Sequence, residues 1–175
     1  MRVAVYCGSS RQSPAPFLEA ARDTGRLLAA RGHTLVYGGG RTGLMGAVAD
    51  AALAAGGRVE GVIYDRFIES DVHHEGLHEL ESVPDMRARK AGLDQRANAF
   101  LVLAGGLGTL EELAEILSFR KLGFHDRSFV ILNTLGFYDP LLAQLERFVE
   151  HSFDKPGIRD FVRVADKPEK AVDLL

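Results

Sequence analysis

Residues 99–112 constrain the fold more than any other stretch of this chain. Ala99-Phe100-Leu101-Val102-Leu103 is an unbroken apolar run. Ala104, then Gly105, Gly106 and Gly108, then Thr109 follow it, and a helical pattern opens on Glu111 and Glu112. An apolar run of this length bounded by glycines reads as a strand buried on both faces, as in the middle of a parallel sheet. A strand that turns through glycines into a helix carries unpaired N–H groups and the positive end of a helix dipole at its tip, and glycines let an anion come close to them. Carboxylates beside such a site repel a phosphate, so they are expected to serve another part of a ligand, such as a sugar.

The same arrangement occurs twice more. Thr34-Leu35-Val36-Tyr37 reads as a strand, followed by Gly38-Gly39-Gly40-Arg41-Thr42-Gly43-Leu44-Met45-Gly46 and a helix over 42–55 that stops at Gly56-Gly57. Val3-Ala4-Val5-Tyr6 precedes the shorter turn Cys7-Gly8-Ser9-Ser10. The remaining pattern alternates in the same way. Strands are expected at 2–7, 33–37, 58–63, 78–83, 99–103, 128–133 and 161–164. Helices are expected at 14–31, 42–55, 85–97, near 108–122, at 138–153, and in a short piece at the C-terminal end. Repeated β-α units predict an α/β fold of three layers, Rossmann-like, with a mostly parallel central sheet and helices on both faces. Turns at the carboxyl edge of such a sheet meet where strand order reverses, and three loops rich in Gly, Ser and Thr predict a nucleotide-sized pocket there.

A chain of 175 residues with no linker or low-complexity stretch reads as one domain, 1–175, which buries about 70% of its unfolded surface. The net charge of −3 gives no overall attraction to nucleic acid. Cys7 is the only cysteine, so an internal disulfide, a zinc ribbon and a CxxC redox pair are excluded; at the end of a buried strand it reads as packing. The N-terminus is a strand with no signal-peptide pattern, and no apolar run approaches the ~20 residues that span a bilayer. A cytoplasmic location is the default.

Residues 64–77 carry Asp65, Arg66, Asp71, His73, His74 and Glu75 without a clear period, which predicts a functional or mobile loop. Adjacent histidines on an extended chain point opposite ways, so no metal is expected there. The chain lacks the P-loop GxxxxGK[ST] and the GxSxG elbow, and Gly38 to Gly43 only loosely approaches the dinucleotide fingerprint. In the helix over 85–97, Arg87, Arg89, Lys90 and Arg96 could form a solvated face. Yet Arg89 and Lys90, about 100° apart, cannot both lie on the side of Leu93 and Ala97, so at least one could turn toward the sheet edge. Thr109-Leu110-Glu111-Glu112 also matches a capping box, with Thr109 as N-cap and Glu112 reaching back to it, and spacing alone weighs capping and catalysis equally for Glu112.

Taken together, Tyr37-Gly38-Gly39-Gly40 with Gly43-Leu44-Met45-Gly46, Met86-Arg87-Ala88-Arg89-Lys90, and Gly105-Gly106-Leu107-Gly108-Thr109-Leu110-Glu111-Glu112 resemble the LOG ("Lonely Guy") family, nucleoside 5′-monophosphate phosphoribohydrolases that activate cytokinins. The family signature is PGGxGTxxE, and Cys7-Gly8-Ser9-Ser10 is similar to the family's first turn. The resemblance covers about residues 2–150. It implies that Arg89 and Glu112 are catalytic. It implies a substrate-binding set of Gly8 and Ser9; Gly39, Gly40 and Met45; Met86 and Lys90; and Gly105, Gly106, Gly108 and Thr109. It further implies a nucleoside 5′-monophosphate as the small-molecule partner, no cofactor or metal, and a homodimer with the helices near 84–97 and 108–122 beside the interface. Two positions depart from the family: Ala104 replaces the signature's proline, and Arg87 stands where histidine is frequent, a change that bears on base or phosphate preference. The competing expectations are a non-catalytic nucleotide carrier or sensor on the same fold, and transfer of the sugar to an acceptor other than water.

Overall fold

A computed structural model of the chain describes residues 1–70 and 72–175; Asp71, one of the acids read in the 64–77 segment, lies outside the described residues. Among the described residues, seven strands form one sheet: β1 (Arg2–Tyr6), β2 (Thr34–Tyr37), β3 (Val59–Tyr64), β4 (Glu79–Val83), β5 (Ala99–Val102), β6 (Ser128–Leu132) and β7 (Arg163–Ala165). Their order is β4-β3-β2-β1-β5-β6-β7, and every neighbouring pair is parallel. The chain winds outward from β1 to β4, returns to β5 on the other side of β1, and winds outward again. The reversal therefore falls between β1 and β5, in register from Val3 opposite Ala99 to Tyr6 opposite Val102.

The helices are α1 (Ala15–Ala30), α2 (Gly43–Ala54), α3 (Asp65–Glu69), α4 (Met86–Arg96), α5 (Leu107–Lys121), α6 (Asp139–Glu150) and α7 (Pro168–Asp173). Two apolar clusters cover the two faces of the sheet. Leu28, Val48, Ala49 and Val172 from α1, α2 and α7 pack on Val3, Val5, Leu35 and Leu101; Leu93, Leu113, Ile116 and Leu142 from α4, α5 and α6 pack on Ala4, Val36, Phe100 and Ile131. Alternate residues of each central strand thus feed opposite layers, which is why these strands read as continuous apolar runs. The three-layer α/β arrangement matches the reading of the sequence. No helix of the described residues is long and apolar enough to cross a membrane.

Three local expectations are corrected. The segment after β3, read as unpatterned, begins with the short helix α3. Short 3-10 turns stand at Thr134–Gly136 and Ile158–Phe161 where only connections were expected. Helix α5 starts at Leu107 with Gly106 as its N-cap, three residues before Thr109, the N-cap of the capping-box reading.

Helices α1 and α2 meet at Gly25, where an added Cβ would stand 2.2 Å from the carbonyl oxygen of Val48 and 3.0 Å from the amide nitrogen of Ala52. Backbone cannot yield as a side-chain tip does. Gly25→Ala is therefore expected to destabilise the chain by about 1–3 kcal/mol, a fall of several degrees in Tm by calorimetry, even though alanine is the better helix former. An unchanged or raised Tm would show that the two helices can separate freely.

A buried charge network pins the opposite, amino edge of the sheet. Glu60 on β3 is fully buried and meets Arg58 at 2.8 Å, Arg2 at 3.2 Å and Arg96 at 3.5 Å; Arg96 also pairs with Glu79 at 2.7 Å and Glu81 at 2.8 Å. Burial alone would raise the Glu60 pKa, but Arg58 and Arg2 more than offset it and hold the carboxyl below its ordinary range. Arg96, one of the four basic residues of α4, belongs to this structural network.

Candidate active site

The sheet's reversal point opens into a cavity of about 630 Å³ above the carboxyl ends of β1 and β5, the place where open parallel sheets bind ligands. The β1 loop supplies Gly8, Ser9 and Ser10, α1 supplies Phe17, α2 supplies Leu44 and Met45, and α3 supplies Phe67. Met86 and Arg89 come from α4, Gly105 to Thr109 with Glu111 and Glu112 from the β5–α5 turn, and Phe137 from beyond β6. Glycines, hydroxyls and helix-start amides thus share the cavity with an apolar wall of Phe17, Phe67 and Phe137.

The first turn of α5 is an open anion cradle. An added Cβ at Gly106 or Gly108 would meet nothing within 4 Å, so ligand atoms have free access to this backbone. Leu107, Gly108 and Thr109 occupy the first helical positions, whose N–H groups have no partner within the helix. Gly105 is needed for a different reason. A Cβ there would stand 2.1 Å from Thr109 Oγ1 and 2.9 Å from the Gly8 amide nitrogen, while that amide donates to Ala104 O at 3.0 Å. Gly105 therefore lets the β1 and β5 loops lie against each other. The Tyr138 hydroxyl donates to Leu103 O at 2.8 Å and fixes the end of the same turn.

The twin glycine loop is not a second cradle. The amides of Leu44 and Met45 at the start of α2 donate to Gly8 O at 2.9 and 3.3 Å, and Thr42 Oγ1 donates to Ser9 O at 2.7 Å. These donors fasten the β1 loop. Gly43 makes the fit: at φ 61° it occupies left-handed backbone, and a Cβ would stand 2.5 Å from the carbonyl carbon of Ser9.

Asp85 caps α4 by accepting from the amides of Arg87 and Ala88, each at 2.8 Å. One turn on, Arg89 lies on the same side as Leu93 and runs under the sheet edge. It is 4% exposed. Its Nη1 donates to Glu112 Oε1 at 3.0 Å and its Nη2 to the Gly38 carbonyl at 3.3 Å. Glu112 is 6% exposed, projects from α5, and forms with Arg89 a buried ion pair in the cavity wall. The capping-box reading of Glu112 is overturned: Thr109 is buried inside the helix, Gly106 is the cap, and the Glu112 carboxylate goes to Arg89. Burial raises the Glu112 pKa above the ordinary carboxylate range, although the adjacent Arg89 charge and hydrogen bond pull it down. A buried carboxylate held against a fixed cation in a cleft is the kind of group that marks reactive sites.

Gly8, Ser9, Met45, Met86, Arg89, Gly105, Gly106, Gly108, Thr109 and Glu112 all line the cavity. Gly40 lines an adjoining chamber of about 380 Å³ that shares Ser9, Met45, Phe67 and Arg89 with it. Gly39 and Lys90 stand outside both. Gly39 turns at φ 73° against Ile63 and Leu80, and the Lys90 ammonium lies between Glu111 and Glu115, 3.1 Å from the latter. Of the two departures from the LOG pattern, Ala104 lines the cavity and Arg87 is exposed away from it. Cys7 is buried, which raises its pKa and keeps the thiol protonated. His74 meets Asp50 at 3.0 Å and accepts from the Gly76 amide at 3.0 Å, and His73 bridges to Gly40. The aromatic wall escaped sequence reasoning. Phe17 reads as one of several apolar positions on α1, while Phe67 and Phe137 lie in stretches without a period.

The sequence model of a family described as "Possible lysine decarboxylase" matches residues 45–175. The chain is 42% identical over 168 residues to "Probable cytokinin riboside 5'-monophosphate phosphoribohydrolase LOGL9" of Oryza sativa subsp. japonica, covering 95% of this chain and 74% of that protein. It is 38% identical over 174 residues to "Cytokinin riboside 5'-monophosphate phosphoribohydrolase LOG3" of Arabidopsis thaliana, covering 99% and 81%. Its fold is similar to that of the molybdenum cofactor binding protein of Rippkaea orientalis (TM-score 0.75, 23% identity, 99% of this chain and 93% of that one). The Moco carrier protein of Chlamydomonas reinhardtii is similar too (TM-score 0.73, 22% identity, 98% and 93%). At those identities the likeness is one of fold. The match to the phosphoribohydrolases along nearly the whole of this chain decides the family: this chain belongs to the LOG family.

Proposed function

We propose that the chain hydrolyses the N-glycosidic bond of adenosine 5′-monophosphate or its N6-modified forms, releasing adenine or a cytokinin base and ribose 5-phosphate. The observation that carries this reading is the buried Arg89–Glu112 pair beside an open helix-start cradle in one cavity. The 5′-phosphate sits on the amides at the start of α5 with Thr109 and Ser9. Cleavage of the bond between C1′ and the purine nitrogen leaves positive charge on the ribose ring and the bonding electron pair on the base. The Glu112 carboxylate faces the ring, stabilises its charge, and takes a proton from the water whose oxygen bonds to C1′. Arg89 offsets the negative charge on the departing purine. Binding of the remote phosphate positions the bond against this pair. One carboxylate and one cation serve where O-glycosidases use two carboxylates, because a purine is the better leaving group.

The same reading makes residues 1–175 one cytoplasmic unit acting on free nucleotides, without nucleic acid, membrane, metal or cofactor. It also makes the chain a homodimer through α4 and α5, where Met86 and Leu110 are exposed apolar residues; light scattering of the pure protein gives the mass of two chains if this holds, and of one if it does not.

The carrier reading predicts saturable binding with the nucleotide returned intact. Thermal shifts with AMP and isopentenyladenosine 5′-monophosphate, followed by chromatography after hours, separate the two. Free base supports hydrolysis, and a shift with unchanged nucleotide overturns it.

A pH profile tests the role of Glu112. The group works as the carboxylate, and burial raises its pKa. Activity is therefore full above the raised pKa and is lost as pH falls through it, so the acid limb of kcat/KM stands above the ~4.3 of an unperturbed glutamate. A limb at or below that value contradicts the assignment.

A further inference from the structure

Gly38 lies immediately after β2, outside the set of residues read as binding or catalytic. A Cβ added there would stand 1.7 Å from Arg89 Nη2 and 2.9 Å from Arg89 Cζ, with Met45 Cε next at 3.4 Å. The space a side chain would take is thus filled by the Arg89 guanidinium. Gly38 is not among the glycines with positive φ, so the left-handed region does not explain it. Its carbonyl accepts from Arg89 Nη2 at 3.3 Å. Among the described residues the Arg89 side chain makes two hydrogen bonds, one to Glu112 and one to Gly38, while its buried Nε has no partner. With only one carboxylate to hold it, a planar guanidinium could rotate about that contact; the second contact fixes its plane.

We propose that Gly38 is a positioning residue. The absence of its side chain forms the bed of the Arg89 guanidinium, and its carbonyl sets the orientation in which Arg89 reaches Glu112 and the cavity together. The proposal rests on the hydrolase reading for its effect on rate, and on geometry alone for its effect on Arg89. The two glycine loops then have separate roles, since the loop after β2 holds the cation of the pair and the start of α5 holds the phosphate.

The test is a cycle of Gly38→Ala, Arg89→Ala and the double variant, read by Tm and by base release from isopentenyladenosine 5′-monophosphate. A methyl at Gly38 must push the guanidinium outward by more than an ångström to reach ordinary contact. Gly38→Ala is then expected to lower kcat about 10²-fold. It also shifts the acid limb of the pH profile upward, because Glu112 loses its neighbouring cation. In the Arg89→Ala background the methyl enters vacated space, so the second substitution costs no further Tm. Wild-type kcat and an unmoved acid limb in Gly38→Ala would overturn the proposal, as would an equal Tm loss in both backgrounds. If Gly38→Ala fails to fold, the double variant must be as stable as Arg89→Ala alone; a double variant less stable than Arg89→Ala overturns it. Should the wild type release no base at all, the hydrolase reading fails, while the Tm cycle still decides whether Gly38 positions Arg89.

Discussion

Glu112→Gln is expected to lower kcat for base release by about 10²–10⁴-fold while leaving nucleotide affinity within a few-fold. The variant keeps the shape of the side chain and an oxygen that accepts from Arg89 Nη1, now 3.0 Å away. It removes the negative charge and the proton acceptor that the proposed mechanism assigns to Glu112. The phosphate cradle at the start of α5 is untouched, so binding measured by calorimetry persists. Glu112→Ala is a less informative change. It leaves the buried Arg89 guanidinium with neither counter-ion nor acceptor at that contact, and breaking a buried pair this way costs about 3–5 kcal/mol. Activity lost through unfolding would then be mistaken for activity lost through chemistry. A Glu112→Gln protein with wild-type kcat would remove the carboxylate from the mechanism.

Gly105→Ala is the second large effect. Its Cβ would meet Thr109 Oγ1 at 2.1 Å, Thr109 Cβ at 2.6 Å and the Gly8 amide nitrogen at 2.9 Å. Neither neighbour is a flexible tip. Thr109 is buried in the first turn of α5, and Gly8 is backbone tied to Ala104. The two loops must part, which costs about 1–3 kcal/mol in stability and moves Ser9 away from the α5 amides. Because these two elements share the phosphate in the proposed complex, KM for the nucleotide is expected to rise by about 10²-fold. Gly108→Ala provides the contrast, since a Cβ there meets nothing within 4 Å; its Tm should match the wild type. Equal melting of Gly105→Ala and wild type, with equal KM, would show that the close approach of the two loops is dispensable.

The sequence displays the sheet well because its central strands are buried on both faces. Val3 to Tyr6 and Ala99 to Val102 have no polar residue to interrupt the apolar run, and a glycine turn marks the carboxyl end of each unit. The site is less evenly visible. Arg89 and Lys90 are adjacent and equally basic, and only the placement of Leu93 on the buried side tells which goes inward. Thr109 and Glu112 have capping-box spacing, yet the N-cap falls three residues earlier at Gly106, where there is no side chain to cap. That shift turns Glu112 from a helix-end acceptor into the partner of Arg89. Glu60 shows a further limit. Its cations, at positions 2, 58 and 96, lie far apart in the chain and converge only when β1, β3 and α4 are packed together. The Phe67 and Phe137 wall has the same character, since the five-residue α3 and the short turn before Phe137 are too brief to show a period.

The most direct test of the hydrolase assignment is incubation of the pure protein with isopentenyladenosine 5′-monophosphate in ¹⁸O-labelled water, with Glu112→Gln alongside, followed by mass analysis of the products. Hydrolysis at this site gives equal amounts of free base and ribose 5-phosphate, with the label on the sugar, from the wild type and a rate lower by orders of magnitude from the variant. Intact nucleotide from the wild type, or sugar phosphate that carries no label from water, would contradict it.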